Sequence, residues 1–126
     1  MIPYNKTFDP PAPFVTIQIS PLNQDEPNSV VECLLDTGAD VSLIPQRSVT
    51  ELNLAPEDAI LIEGYDGERQ QLQLFAVNIV VEGIRLDLEV VAYPTHHAIL
   101  GRDALNRFRL LLDGPAQTLE FLPSSE

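Results

Sequence analysis

The sequence predicts an all-β domain, a small, closed, mostly antiparallel β-barrel with one or two short helices. Apolar residues alternate with polar ones at period two, as Val15, Ile17 and Ile19 do with Thr16, Gln18 and Ser20. Strand-like runs are separated by turn dipeptides, namely Asp66-Gly67, Glu82-Gly83 and Gly114-Pro115. The chain has no internal repeat and no linker, so these runs must close on one core.

Taken in order, residues 1–13 hold four of the eleven prolines and no periodicity, which predicts an extended N-terminal arm. The domain proper is expected over 14–122, with 123–126 as a tail. The first strand is centred on Val15 to Ile19, and the polar stretch from Asn23 to Asn28, which includes Pro27, is a turn. A second strand runs from Val30 to Leu35. Pro45 to Leu54 suits one or two helical turns, with Val49 and Leu52 at i, i+3 spacing. Residues 59–63 and 70–77 flank Gly64-Tyr65-Asp66-Gly67 as the arms of a β-hairpin. After Glu82-Gly83, Ile84, Leu86, Leu88 and Val90 alternate with Arg85, Asp87 and Glu89 as a further strand. Asp103 is placed to cap a short helix reaching Phe108, and Arg109–Asp113 with Thr118–Leu122 form a terminal hairpin.

A chain of 126 residues can bury one modest core. With 44% hydrophobic and 21% charged residues it has the composition of a folded domain. Nineteen acidic residues against seven basic ones give a net charge of −12, which disfavours a nucleic-acid partner because no basic surface can be assembled. Cys33 is the only cysteine, so no intrachain disulfide exists. Lying in an apolar strand with no basic neighbour, it reads as a small buried thiol and not as a nucleophile. No apolar run is long enough to span a membrane and no signal-peptide pattern opens the chain, so a soluble, cytoplasmic protein without membrane contact is expected. His96 and His97 are adjacent on a strand-like run and would point to opposite faces, a poor zinc site; no metal and no cofactor are expected.

The chemistry centres on residues 34–45, Leu-Leu-Asp-Thr-Gly-Ala-Asp-Val-Ser-Leu-Ile-Pro. Asp36-Thr37-Gly38 places a carboxylate where a strand breaks into a tight turn, which suits an acid held at the floor of a cleft. Downstream lies Ala98-Ile99-Leu100-Gly101-Arg102-Asp103, and upstream Pro13 to Ile19. Together these three ordered segments resemble the single-domain, retroviral type of aspartic protease, the retropepsins: the active-site loop, the aliphatic-Gly-Arg segment before the short helix, and the first core strand.

That resemblance implies an aspartic endopeptidase acting on a peptide or protein substrate. With one Asp-Thr-Gly per chain, it implies a homodimer in which two copies of Asp36 share a proton and divide the acid and base roles. Thr37 would hydrogen-bond across the two-fold axis, and Gly38 would let the backbone approach the substrate. Asp40 and Arg102 would form an ion pair bracing the loop, with Asp40 also facing the substrate. Ala39 stands where many two-lobed relatives carry Ser or Thr. A hydroxyl there favours the charged carboxylate. Ala39 cannot donate, so activity is expected to reach into weaker acid, which a pH–rate profile reads. Gly64, Tyr65 and Asp66 would form the tip of a flap, more polar than the glycine-rich viral tip. His97 and Ile99 would fall near the pocket that lines the substrate.

Two other readings compete. Asp36-Thr37-Gly38 faintly resembles the phosphate-binding loops of actin-like kinases, but those folds need far more chain. A non-catalytic dimerisation or peptide-binding module on the same fold is the stronger rival, because fold alone does not fix activity.

Overall fold

A computed structural model describes residues 1–63 and 67–123 of the chain. The strands are β1 (Ile2–Pro3), β2 (Phe14–Pro21), β3 (Ser29–Leu35), β4 (Leu43–Pro45), β5 (Asp58–Glu63), β6 (Arg69–Val81), β7 (Ile84–Tyr93), β8 (Ala98–Leu100), β9 (Arg109–Asp113) and β10 (Thr118–Leu122). Two short helices interrupt them, α1 (Gln46–Leu52) and α2 (Arg102–Leu105).

Seven strands lie in the order β2-β3-β8-β4-β7-β6-β5, and a further pairing of β2 with β6 closes the first six into a barrel. Among the described residues only β3–β8 and β4–β7 pair in parallel, so the all-β, mostly antiparallel barrel is the fold of this chain. The period-two pattern is what closes it. Val15, Ile17 and Ile19 of β2 and Leu86, Leu88 and Val90 of β7 all face the core, while Thr16 and Gln18 face solvent. Glu82 and Gly83 connect β6 to β7 with φ of 49° and 76°, the two positive angles that a two-residue hairpin turn requires.

Strand β6 extends further than the sequence suggests, to Val81. Asn78 breaks the apolar alternation, yet it is buried, and its amide donates to the carbonyls of Pro21 and Gln24. The first half of β6 pairs with β5 in the hairpin whose tip, Gly64, Tyr65 and Asp66, lies outside the described residues. Its second half pairs with β2 and β7 inside the barrel.

The helix expected between an Asp103 cap and Phe108 is shorter and starts earlier. Gly101 is the N-cap of α2, which ends at Leu105. The Asp103 carboxylate binds Ser42, with Oδ1 also accepting the neighbouring Ala104 N–H, and the chain leaves Leu105 through turns in which Arg107 and Phe108 donate to Ala104 and Leu105. The terminal hairpin β9–β10 forms around Gly114-Pro115, and β1 adds to it from the N-terminal segment as the order β1-β10-β9.

Cys33 pairs with Val15 on one side and Ala98 on the other and is fully buried. Burial is the main cause that pushes its thiol well above the ordinary range. The sign of the pH effect follows. Below an ordinary thiol value near 9.0 both folded and unfolded chains keep the proton, and above it only the unfolded chain releases it. Folding stability should therefore fall by about 1.4 kcal/mol per pH unit above that value on account of this group. Cys33→Ala should be less stable at neutral pH but lack that part of the alkaline slope. Equal slopes in urea denaturation between pH 8 and 10.5 would contradict the assignment.

Candidate active site

Asp36 leaves β3 immediately past the Leu35–Leu100 row of the parallel pair, and its own N–H donates to the Leu100 carbonyl at 3.0 Å. The strand thus carries the residue out to the barrel end before the chain reverses. Reversal is local: Ala39 donates its N–H to the Asp36 carbonyl at 3.2 Å, and Gly38 donates its N–H to Asp36 Oδ1 at 2.9 Å. A carboxylate accepting from its own turn is oriented before any ligand arrives. A Cβ at position 38 would sit 3.1 Å from Asp36 Oδ1, so a side chain there would crowd the carboxylate. Asp36 is half-buried and Thr37 and Gly38 are exposed, so the turn is open to solvent on one side.

The other side is held from a distant part of the sequence. Arg102 forks across the turn, with Nη1 donating to the Thr37 carbonyl at 2.6 Å and Nη2 on Asp40 Oδ1. Its backbone N–H donates to the Ala39 carbonyl at 2.8 Å. The Asp40 and Arg102 side chains remain 81% and 46% exposed, so their charge attraction is screened and the fork is worth more as a positioning device than as an ion pair.

Below the turn lies a buried polar network that sequence reasoning missed. Ser42 is fully buried. It donates its N–H to Asp103 Oδ2 at 3.0 Å and its hydroxyl to Asp103 Oδ1 at 2.7 Å, while Ser42 Oγ accepts the Gly101 N–H at 3.0 Å. Gly101 has no room for a side chain, since a Cβ would lie 2.8 Å from the Ala39 carbonyl oxygen. The available signal was Ser42 itself, a lone hydroxyl within Val41 to Ile44, where an apolar residue would otherwise be expected.

The structure therefore gathers Asp36, Thr37, Gly38, Ala39, Asp40 and Arg102 into one turn assembly. Ile99 lies beside it, paired with Leu34 and Leu43. His97 does not join it. It precedes the Cys33–Ala98 row, at the opposite end of β8 from Asp36, and its ring packs edge-on against Phe14 and Phe8 at 5.1 and 5.9 Å. His96 is exposed, and among the described residues no three His, Cys, Asp or Glu side chains converge to hold a metal ion. A cleft of about 570 Å³ opens beside this network, lined by Val41, Leu74, Leu88, Glu89, Asp103 and Arg107 among others, but not by Asp36. Among the described residues no helix is long and apolar enough to cross a membrane.

Comparison with known proteins bears on this geometry. Residues 10–113 match the family described as retroviral aspartyl protease. Among solved structures, the solution structure of simian foamy virus (mac) protease is 18% identical with a TM-score of 0.58, covering 75% of this chain and 92% of that one. EIAV protease in complex with the inhibitor HBY-793 is 23% identical with a TM-score of 0.62, over 76% of this chain and 86% of that one. A foamy viral protease-reverse transcriptase in complex with an RNA/DNA hybrid is 15% identical with a TM-score of 0.61, over 78% of this chain but 12% of that much longer one. At these identities the likeness concerns the fold. No curated protein matches the sequence.

Proposed function

Because the chain belongs to the retroviral aspartyl protease family, we propose that it is an aspartic endopeptidase whose site forms when two chains each contribute Asp36. The observation that carries this reading is the Asp36 turn: one Asp-Thr-Gly per chain, oriented from within, braced from behind and open to solvent in front.

Two carboxyls a few ångströms apart cannot readily both ionise, so the pair holds one proton between them. The ionised member takes a proton from water as the water oxygen adds to the peptide carbonyl carbon, and the protonated member gives its proton to the carbonyl oxygen. Collapse of the tetrahedral intermediate breaks the C–N bond, and a carboxyl proton passes to the leaving amine. No metal or cofactor is needed for these transfers. Thr37 bonds across the two-fold axis, Ala39 and Asp40 line the substrate backbone, and Ile99 supports the floor. The β5–β6 hairpin, with 64–66 at its tip, closes over the peptide and excludes water. The substrate is a peptide or protein, because the acidic surface repels nucleic acid.

Dilution tests the two-chain site. Specific activity on a peptide substrate should fall as protein is diluted below the dimer dissociation constant, in step with loss of the dimer by sedimentation. An active monomer would overturn the half-site argument. Peptide binding without turnover at any pH would favour the non-catalytic module instead.

Arg102 and Asp40 act as one unit in this site. Arg102→Ala should lower activity by freeing the Thr37 carbonyl and the Asp40 carboxylate together. Adding Asp40→Ala should then cost much less than the sum of the single effects, while stability changes by no more than about 1 kcal/mol because the pair is exposed. Strict additivity in the double-mutant cycle would reduce the pair to a rim contact.

A further inference from the structure

The face of the β6–β7 hairpin turned away from Val77 and Val90 carries Leu74 and Ala76 on one strand and Asp87 and Glu89 on the other, with Ala76 paired to Glu89. Leu22 and Val41 stand beside it, so the cleft of about 570 Å³ is lined in part by half-buried aliphatic side chains. A second cavity of about 330 Å³ shares Leu22, Glu57 and Ala76 with it and runs on to Pro21, Pro27 and Leu54. The two make one elongated groove with an acidic rim. Glu57, Asp87, Glu89 and Asp103 line the larger part against one cation, Arg107. Asp103 is taken up by Ser42, and Asp87 lies 3.8 Å from Arg85. The Glu57, Glu89 and Arg107 side chains have no ion-pair or hydrogen-bond partner among the described residues. Nor, among those residues, do three carboxylates gather closely enough to hold a metal ion. Charge spread along an apolar groove suits a ligand whose own cations are spaced out.

We propose that this groove takes an extended peptide segment in which Lys or Arg alternates with aliphatic residues, as a second hold on polypeptide substrate outside the stretch placed at Asp36. As a peptide groove it stands by itself; as a substrate surface it rests on the protease reading of Asp36. Asp87 and Glu89 are two apart on one face of a strand, about 7 Å from each other. Side chains i and i+2 of an extended peptide have the same spacing, so successive basic residues meet successive carboxylates. The residues between them point the other way, toward the aliphatic part of the lining. Lys and Arg also lay their own methylene stems on apolar surface while the charged heads stay in water at the rim. Arg107 finds no charge partner in such a ligand; it donates to backbone carbonyls, which an extended peptide leaves free. The charge of −12 repels acidic competitors from the same groove. The groove and the Asp36 turn are neighbours through the chain: Val41 follows Asp40, and Asp103 follows Arg102 and holds Ser42.

The probe is a labelled acetyl-Leu-Lys-Leu-Lys-Leu-amide, read by fluorescence anisotropy on the Asp36→Asn protein, which cannot consume it. Glu89→Lys and Glu57→Lys should each weaken binding about fivefold or more. Glu32→Lys makes the same charge change at an exposed residue of β3 that lies outside the groove. At about 0.15 M salt it should change binding by less than about twofold. Equal weakening by all three would mean attraction to an acidic molecule at large and would overturn the groove. Joining the same segment by a flexible linker to a cleavable peptide should lower KM about fivefold with kcat unchanged. Glu89→Lys should cancel that gain while cleaving the unjoined peptide as wild type does. No gain on joining, in a protein that cleaves the peptide and binds the probe, would overturn the substrate role. Probe binding that obeys these variants in a protein that cleaves no peptide would sink the protease reading, and the substrate role with it, and leave a peptide groove.

Discussion

Asp36→Asn is expected to lower peptide hydrolysis about a thousandfold or more while leaving fold and dimer intact. The amide keeps the shape of the carboxyl, and its carbonyl oxygen can still accept the Gly38 N–H that now reaches Oδ1 at 2.9 Å. It can neither take a proton from water nor carry one to the substrate, so the paired site loses both functions at once. Excess variant added to wild type should also suppress activity, because nearly all wild-type chains would then sit in mixed pairs, given time for subunits to exchange. Undiminished cleavage by the purified variant would sink the protease reading.

The second large effect is expected below the turn. Asp103→Ala removes both acceptors that satisfy Ser42, a residue with no exposed surface. Leaving a buried N–H and a buried hydroxyl without partners costs about 1–3 kcal/mol each. A loss of about 2–6 kcal/mol is then a large share of the 5–15 kcal/mol typical of a domain. Activity should fall as well, because Ser42 Oγ also holds the Gly101 N–H next to Arg102. Asp103→Asn, which keeps one acceptor, should do less harm on both counts. Urea denaturation decides it: a change as small as that of an exposed alanine substitution would mean that the network is dispensable.

The parts of the fold legible in the sequence are those whose signal is local. Strands β2 and β7 announce themselves by alternation, and Glu82-Gly83 by its turn chemistry. Strands β4 and β8 do not. Each has three residues, too few to show a period, and each exists because neighbours on both sides complete its hydrogen bonds. The Asp36 motif was legible because its residue types are fixed by the turn. The role of Asp103 was not. Beside a short helix a carboxylate reads as a cap, and only the tertiary fold reveals that Ser42, 61 positions away, is the stronger claimant.

That distance has a consequence for how the chain comes to life. Every contact described here from Arg102, Gly101 or Asp103 to the segment Thr37–Ser42 spans 59 to 65 residues where the separation is defined by side-chain bonds. Loops of that size close late, after local hairpins such as β6–β7 have formed. A nascent chain that has emerged past Asp36 but not yet past Asp103 carries the whole motif and none of its bracing. The turn's own bonds to Asp36 are local, but the grip of Arg102 on it arrives only as the barrel shuts, and under the proposed function a second, completed chain would be needed after that. Under the proposed function, synthesis and assembly would then act as a timer, keeping the site incomplete while the chain's own unfolded segments would be the nearest substrate.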